Sequence, residues 1–260
     1  MLEFFAFNFQ KFMLVFSRIM GLVFIVPFFS SETITDQAKL GVCFFITAVI
    51  FPLVYPHLPP IPTSMIEYVL LAIIEGLIGV IIGFCINISF AVYQLAGQYF
   101  TVQMGFGASE VFDPFSEVSL PLMGQYLYLL AILVFLSLNG PLMIINEIYL
   151  SFEMIKTASF IKDSVMLETF GLVASFIKMF VIAMKISLPI IGALLLTTVA
   201  MGLLSKAAPQ MNLLMIGFPI SIAVGFIILL FILPDLISYF GDYMDEMFKD
   251  VWNLMSELRQ

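Results

Sequence analysis

Apolar runs long enough to cross a lipid bilayer, or nearly so, recur about six times along this chain, and no other feature narrows its fold so far. Hydrophobic residues make up 62% of the 260 and charged residues 11%, with a mean hydropathy of +1.12. An average soluble domain is about half apolar and about a quarter charged. A water-soluble fold of this size could not hide so much apolar surface, so the expected solvent is the bilayer and the expected fold class is all-α, a polytopic hydrophobic helical protein. The 29 phenylalanines exclude a disordered chain. A formal charge of -8 and a pI near 4.5 argue against nucleic acid and anionic headgroups as partners, because both recruit Lys and Arg. Cys43 and Cys85 lie inside apolar runs and read as small buried hydrophobes.

The first run extends from about Phe5 to Phe29, with no small-residue cleavage site at its end, so it is expected to be retained. A polar loop, Ser30 to Lys39, precedes the second run, Leu40 to Tyr55, which stops at Pro56. The third, Ile66 to about Thr101, would reach roughly 50 Å as a helix, beyond a hydrocarbon core of roughly 30 Å. The fourth covers Leu120 to Leu138 and ends at Asn139-Gly140-Pro141; a mixed helix, Ile144 to Ile161, follows. The fifth spans Leu167 to Leu204 around Pro189, and the sixth spans Leu213 to Leu233 around Pro219, ending at Pro234. From Asp235 onward the apolar residues keep helical spacing while Asp242, Asp245, Glu246 and Asp250 take the opposite face. A lipid-surface helix carries Lys and Arg there, so this acidic tail is expected to dock on protein. The scattered bases leave the orientation in a membrane undetermined.

No catalytic set is visible, so the chain reads as a non-enzyme, and no cofactor is expected. The one histidine, His57, sits in a proline-rich turn without cysteines or paired carboxylates nearby, which disfavours a metal site. No phosphate loop, HExxH or GxSxG occurs. The third run carries more information. Gly76, Gly79, Gly83, Asn87, Gln94 and Gln98 follow at helical steps along one face, small residues first and amides after. Small residues admit another backbone, and amides need partners or water. The stripe is either a tight contact within one chain or a channel-facing or inter-subunit seam, the latter favoured for Gln94 and Gln98. Arg18, Glu75, Lys178 and Lys185 are charges within apolar runs. They must pair, snorkel or face water. Either Glu75 pairs with Arg18 or a lysine, or these groups line an ion pathway or an aqueous wall; Glu67 and Glu75 are too few for a usual proton relay.

Gly105, Phe106, Gly107, Phe112, Asp113, Pro114 and Phe115 form a Gly- and Phe-rich stretch broken by Asp-Pro. Three phenylalanines in a connection call for burial. One reading is a loop folded over helix ends; the other is a re-entrant plug, since irregular backbone at membrane depth survives only inside protein or against a water-filled cavity. Lys206, Pro209, Gln210 and Asn212 sit in the short polar turn of a helical hairpin, either a plain surface turn or a tip presented to a partner.

Taken in order, these features resemble the FliR family of the flagellar export apparatus, called SctT in virulence systems. The resemblance covers nearly the whole chain. It rests on Arg18 ahead of Pro27-Phe28-Phe29, on Gly105-Phe106-Gly107 leading to Asp113-Pro114, Pro121 and Gly124-Gln125, and on Asn139-Gly140. Most specific is Lys206-Ala207-Ala208-Pro209-Gln210-Met211-Asn212 followed by Gly217-Phe218-Pro219. Glu32 to Lys39 and the acidic tail depart from the family's usual wording.

The resemblance implies a subunit of the type III secretion export gate in the bacterial inner membrane, within the flagellar basal body. There, five FliP-like and four FliQ-like subunits and one FliR build a conical channel that passes unfolded flagellar or effector proteins. It further implies a FliP-like part at about 1 to 165, a FliQ-like hairpin at 166 to 233 and the acidic helix at 234 to 260. The stretch from about 105 to 122 is implied as the plug of the resting channel. The tip at Lys206 to Asn212 is implied to face the cytoplasm near an FlhB-like switch protein. The competing expectation is a secondary transporter with a site at the Pro189 and Pro219 breaks, although no second copy of that pattern is present.

Overall fold

The structure is a computed structural model and describes residues 2–30, 34–106, 121–155, 172–210 and 212–257. All regular structure among these residues is helical. The elements are α1 (Leu2–Val23), the single turn α2 (Pro27–Ser30), α3 (Asp36–Val54) with a 3₁₀ turn at Tyr55–His57, α4 (Met65–Thr101), α5 (Leu122–Ser137), α6 (Gly140–Met154), α7 (Leu172–Ala207) and α8 (Leu213–Glu257).

Two compact units divide the chain. One comprises Met1–Ser89, Phe135–Ser175 and Met244–Gln260, the other Phe90–Val134 and Phe176–Tyr243. In the first, α1 packs on α3 and α3 on α6. Phe12 meets the edges of Phe44 and Phe51 with ring centroids 5.5 and 5.6 Å away, a geometry aromatic quadrupoles favour. Leu14, Ile19, Leu22, Ile78, Ile82, Ile144 and Ile148 fill its core. Met244, Met247, Phe248 and Val251 are buried too, so this part of the tail's apolar face is covered by its own chain, while Trp252 is 44% exposed and Asp245 and Glu246 are exposed. In the second unit, Tyr93 lies against Phe240 and Tyr243, and Leu127, Ala131, Ile186, Ile190 and Leu229 complete the core.

Several Ser and Thr hydroxyls in the apolar helices are satisfied locally. Thr47, Ser89, Thr101, Thr197 and Thr198 each donate to the carbonyl four residues back, which removes a polar group from competition where no water is at hand.

Among the described residues, four helices are long and apolar enough to cross a membrane: Asp36–His57, Met65–Thr101, Val173–Ala207 and Met215–Trp252. This is fewer than the apolar runs in the sequence, for two reasons. Asn8, Gln10, Lys11 and Arg18 interrupt α1. The 16 residues of α5 reach only about 24 Å, short of the hydrocarbon core. Together with α6, across a break at Asn139, α5 forms a bent pair that raises the number of possible spans to five. Asn139 adopts φ 58°, a left-handed conformation that Asn tolerates, and Pro141 opens the next helix at a position where its missing N–H costs nothing.

The expected stop at Pro234 does not occur. α8 runs for 45 residues through both Pro219 and Pro234. A proline removes one helical donor and crowds the preceding turn. The apolar periodicity continues on either side of Pro234, with Leu229, Leu236 and Phe240 all buried, and packing outweighs the lost bond.

Candidate functional site

Three constellations gather the residues singled out in the sequence. The first lies where α1 meets the early turns of α4. Arg18 is 2% exposed and Glu75 fully buried, and they form an ion pair, with Nη2 to Oε2 at 2.6 Å and Nε donating to the same oxygen at 2.7 Å. Arg18 Nη1 donates to Ser151 Oγ at 3.2 Å, Ser151 Oγ donates to the Ile148 carbonyl, and the guanidinium stacks 3.9 Å from the centre of the Phe152 ring. Every side of the cation is thus occupied by a carboxylate, a hydroxyl or an aromatic face, as a charge far from water requires.

The glycines of the stripe explain how α1 comes so close. A Cβ at Gly79 would collide with the Arg18 carbonyl, and one at Gly83 would lie 3.0 Å from the Leu22 carbonyl. At Gly76 it would approach Ser17 Oγ to 3.0 Å, and Ser17 Oγ itself donates to the Ala72 carbonyl. Asn87 Nδ2 donates to the Ile25 carbonyl, which lies just past the end of α1 where no helical donor serves it. Gly76, Gly79, Gly83 and Asn87 are therefore occupied within the chain. Gln94 is half-buried and Gln98 exposed, while the intervening Gly97 lets α4 approach the backbone of α5 at Met123 and Gly124.

The second constellation is the exit from α4. Met104 and Gly105 still bond back to the Phe100 and Val102 carbonyls, but Gly105 takes φ +94°, a region that L side chains rarely adopt. A Cβ there would also lie 2.5 Å from the Phe218 ring. The fully buried Met104 rests over Gly225, and the Phe106 ring meets Phe226 edge-on at 6.4 Å. The beginning of the Gly- and Phe-rich stretch is thereby seated on α8. Gly107, Phe112, Asp113, Pro114 and Phe115 lie outside the described residues.

The hairpin tip forms the third. Lys206 stands in the last turn of α7, where a cation complements the helix dipole. Asn212 caps α8, its backbone and side-chain oxygens accepting from the Met215 N–H. Lys206, Pro209, Gln210 and Asn212 are all exposed. Lys178 is half-buried, whereas Lys185 is exposed and borders a cavity of about 360 Å³ together with Pro189 and Asp235. No group of three or more His, Cys, Asp or Glu able to hold a metal ion occurs among the described residues.

Residues 9–247 match the model of the family described as bacterial export proteins, family 1. The chain is 33% identical over 223 residues to the flagellar biosynthetic protein FliR of Bacillus subtilis (strain 168), covering 85% of each. This chain belongs to the FliR family of bacterial export proteins. It is also 30% identical over 250 residues to FliR of Pectobacterium carotovorum subsp. carotovorum, covering 96% of this chain and 92% of the relative. With FliR of Escherichia coli (strain K12) it shares 29% over 243 residues, 93% of this chain and 89% of that one. As a FliR-family protein it is a component of the flagellar export apparatus, a structural or transport part, and its four long apolar helices fit a membrane location.

One residue of this FliR-family chain escaped the sequence reading. Glu147, in α6, is only 6% exposed and its Oε2 has no hydrogen-bond partner. The signal was present: Ile144, Glu147, Ile148 and Ser151 share one helical face, and the other three are buried. The segment read only as a mixed helix, and its neighbour Asn146 is exposed.

Proposed function

We propose that the chain is a non-enzymatic subunit of the export gate, assembling with FliP-like and FliQ-like proteins, five and four copies on the family pattern, into the channel that passes unfolded proteins across the inner membrane at the basal body. The observation that carries this reading is the mismatch between hydropathy and burial in α8. Its most apolar stretch has a mean hydropathy of 2.8, yet only 11% of it is buried within the chain. Family membership makes fellow subunits the natural cover for such a face. In this reading residues 1–165 serve as the FliP-like part, 166–233 as the FliQ-like hairpin and 234–260 as a docked tail, with an FlhB-like switch protein near Lys206 to Asn212. Gln94 and Gln98, whose amides need water or a partner, supply the channel-facing or inter-subunit seam. The stretch from Gly105 to about residue 122 acts as the plug, with Gly105 and Phe106 as its hinge on α8 and the phenylalanines as its apolar stopper. Opening displaces the stopper without covalent chemistry.

Gentle-detergent purification tests the assembly: the tagged chain should recover FliP-like and FliQ-like subunits in fixed ratio, whereas a transporter using the Pro189 and Pro219 breaks would purify alone or as a homo-oligomer. For the plug, deletion of residues 105–107 should raise ion conductance across membranes that hold the assembled complex. Unchanged conductance in a correctly assembled complex would remove the plug from the proposal.

A further inference from the structure

A cavity of about 510 Å³ opens in the first unit between α6 and the last turns of α8. Its wall includes Glu147, whose Oε2 is sealed from solvent and has no hydrogen bond. As an anion, a group so placed is costly unless a cation meets it; otherwise burial favours its protonated form. Asp245 lines the same cavity, and Lys249 is its one basic residue. No ion pair joins Lys249 to Glu147, and Lys249 is exposed. Even if Lys249 turned inward it could pair with only one of the two acids, so the other would still lack a cation. The remaining lining suits a long basic side chain. Leu142, Met143 and Phe248 offer apolar walls for its methylenes, and the amide oxygens of Asn139 and Asn146 can accept the N–H groups that the carboxylates leave over. Two acids without a third ligand make a poor metal site.

We infer that this cavity is a socket for an arginine or lysine side chain of a fellow subunit of the export complex, with Glu147 as the buried anion at its base. The inference rests on the assembly reading above and deepens it by naming one contact. Glu147→Gln is nearly isosteric and removes the charge. In the isolated chain it should leave the melting temperature unchanged or raise it, because an unpaired buried charge is gone. In the assembled complex it should do the opposite, lowering the melting temperature and cutting the recovered complex about tenfold or more, because the partner's cation is stranded. Glu147→Asp, which keeps the charge, should retain most of the complex. Intact wild-type assembly with Glu147→Gln indifferent or more stable in the complex overturns the socket alone. Equal destabilisation of the free chain and the complex also overturns it, since the cation would then come from this chain. A wild-type chain that recovers no partner subunits overturns the assembly reading and the socket with it.

Discussion

α4 and α8 are nearly equal in apolar character and opposite in what they do with it. Their most apolar stretches have mean hydropathies of 2.7 and 2.8, but 44% of the first and 11% of the second is buried inside the chain. The difference lies in residue size along one face. Glycines at 76, 79 and 83 let α1 lie against α4, whereas α8 presents Phe226, Ile227, Leu230 and Phe231 outward, the last at 79% exposure. Hydropathy thus reports which solvent a helix prefers, and the distribution of small residues reports whether its own chain supplies it.

The strongest way to break this contrast is to attack the internal cover of α4. Arg18→Met strands Glu75 without its guanidinium and should cost about 3–5 kcal/mol, read as a lowered midpoint of thermal unfolding in detergent. The double variant Arg18→Met, Glu75→Leu should recover to near wild-type stability, because replacing both charges removes the desolvation cost together with the pair. Gly79→Ala should follow at about 1–3 kcal/mol, since its methyl meets the immobile Arg18 carbonyl rather than a side chain that could turn away. On α8 the effects should be smaller. Asn212→Ala removes the cap of the helix and should cost about 1 kcal/mol by the same measurement. Phe231→Ser should change the stability of the isolated chain by no more than about 0.5 kcal/mol, while reducing the FliP-like and FliQ-like subunits recovered with it. A large loss of stability in the free chain would mean that α8 is covered internally after all.

Fold class and helix positions were legible because apolar run length and helical spacing are properties of the sequence itself. Arg18 and Glu75 stood out as charges in apolar surroundings, but their mutual pairing needs two residues 57 positions apart, on α1 and α4, to meet. Asn87 read either as part of a tight contact within the chain or as a channel-facing or inter-subunit group; its actual partner, the Ile25 carbonyl, exists only because α1 ends at Val23. Backbone acceptors freed by a helix end leave no mark on residue identity. Pro234 misled for a related reason: a proline announces a local cost, whereas the packing of Leu236 and Phe240 that outweighs it is spread over several turns. Glu147 lay in a segment read only as a mixed helix, although its register with Ile144, Ile148 and Ser151 pointed inward.

The bond between Arg18 and Glu75 also constrains how the polypeptide is delivered to its membrane. During synthesis the guanidinium leaves the ribosome long before the carboxylate that will neutralise it. Until then lipid is a hostile place for α1, and its cation is held near headgroups or water. Final settling of the first helix therefore waits for the fourth, and a chain cut short before Glu75 would have its leading segment poorly anchored.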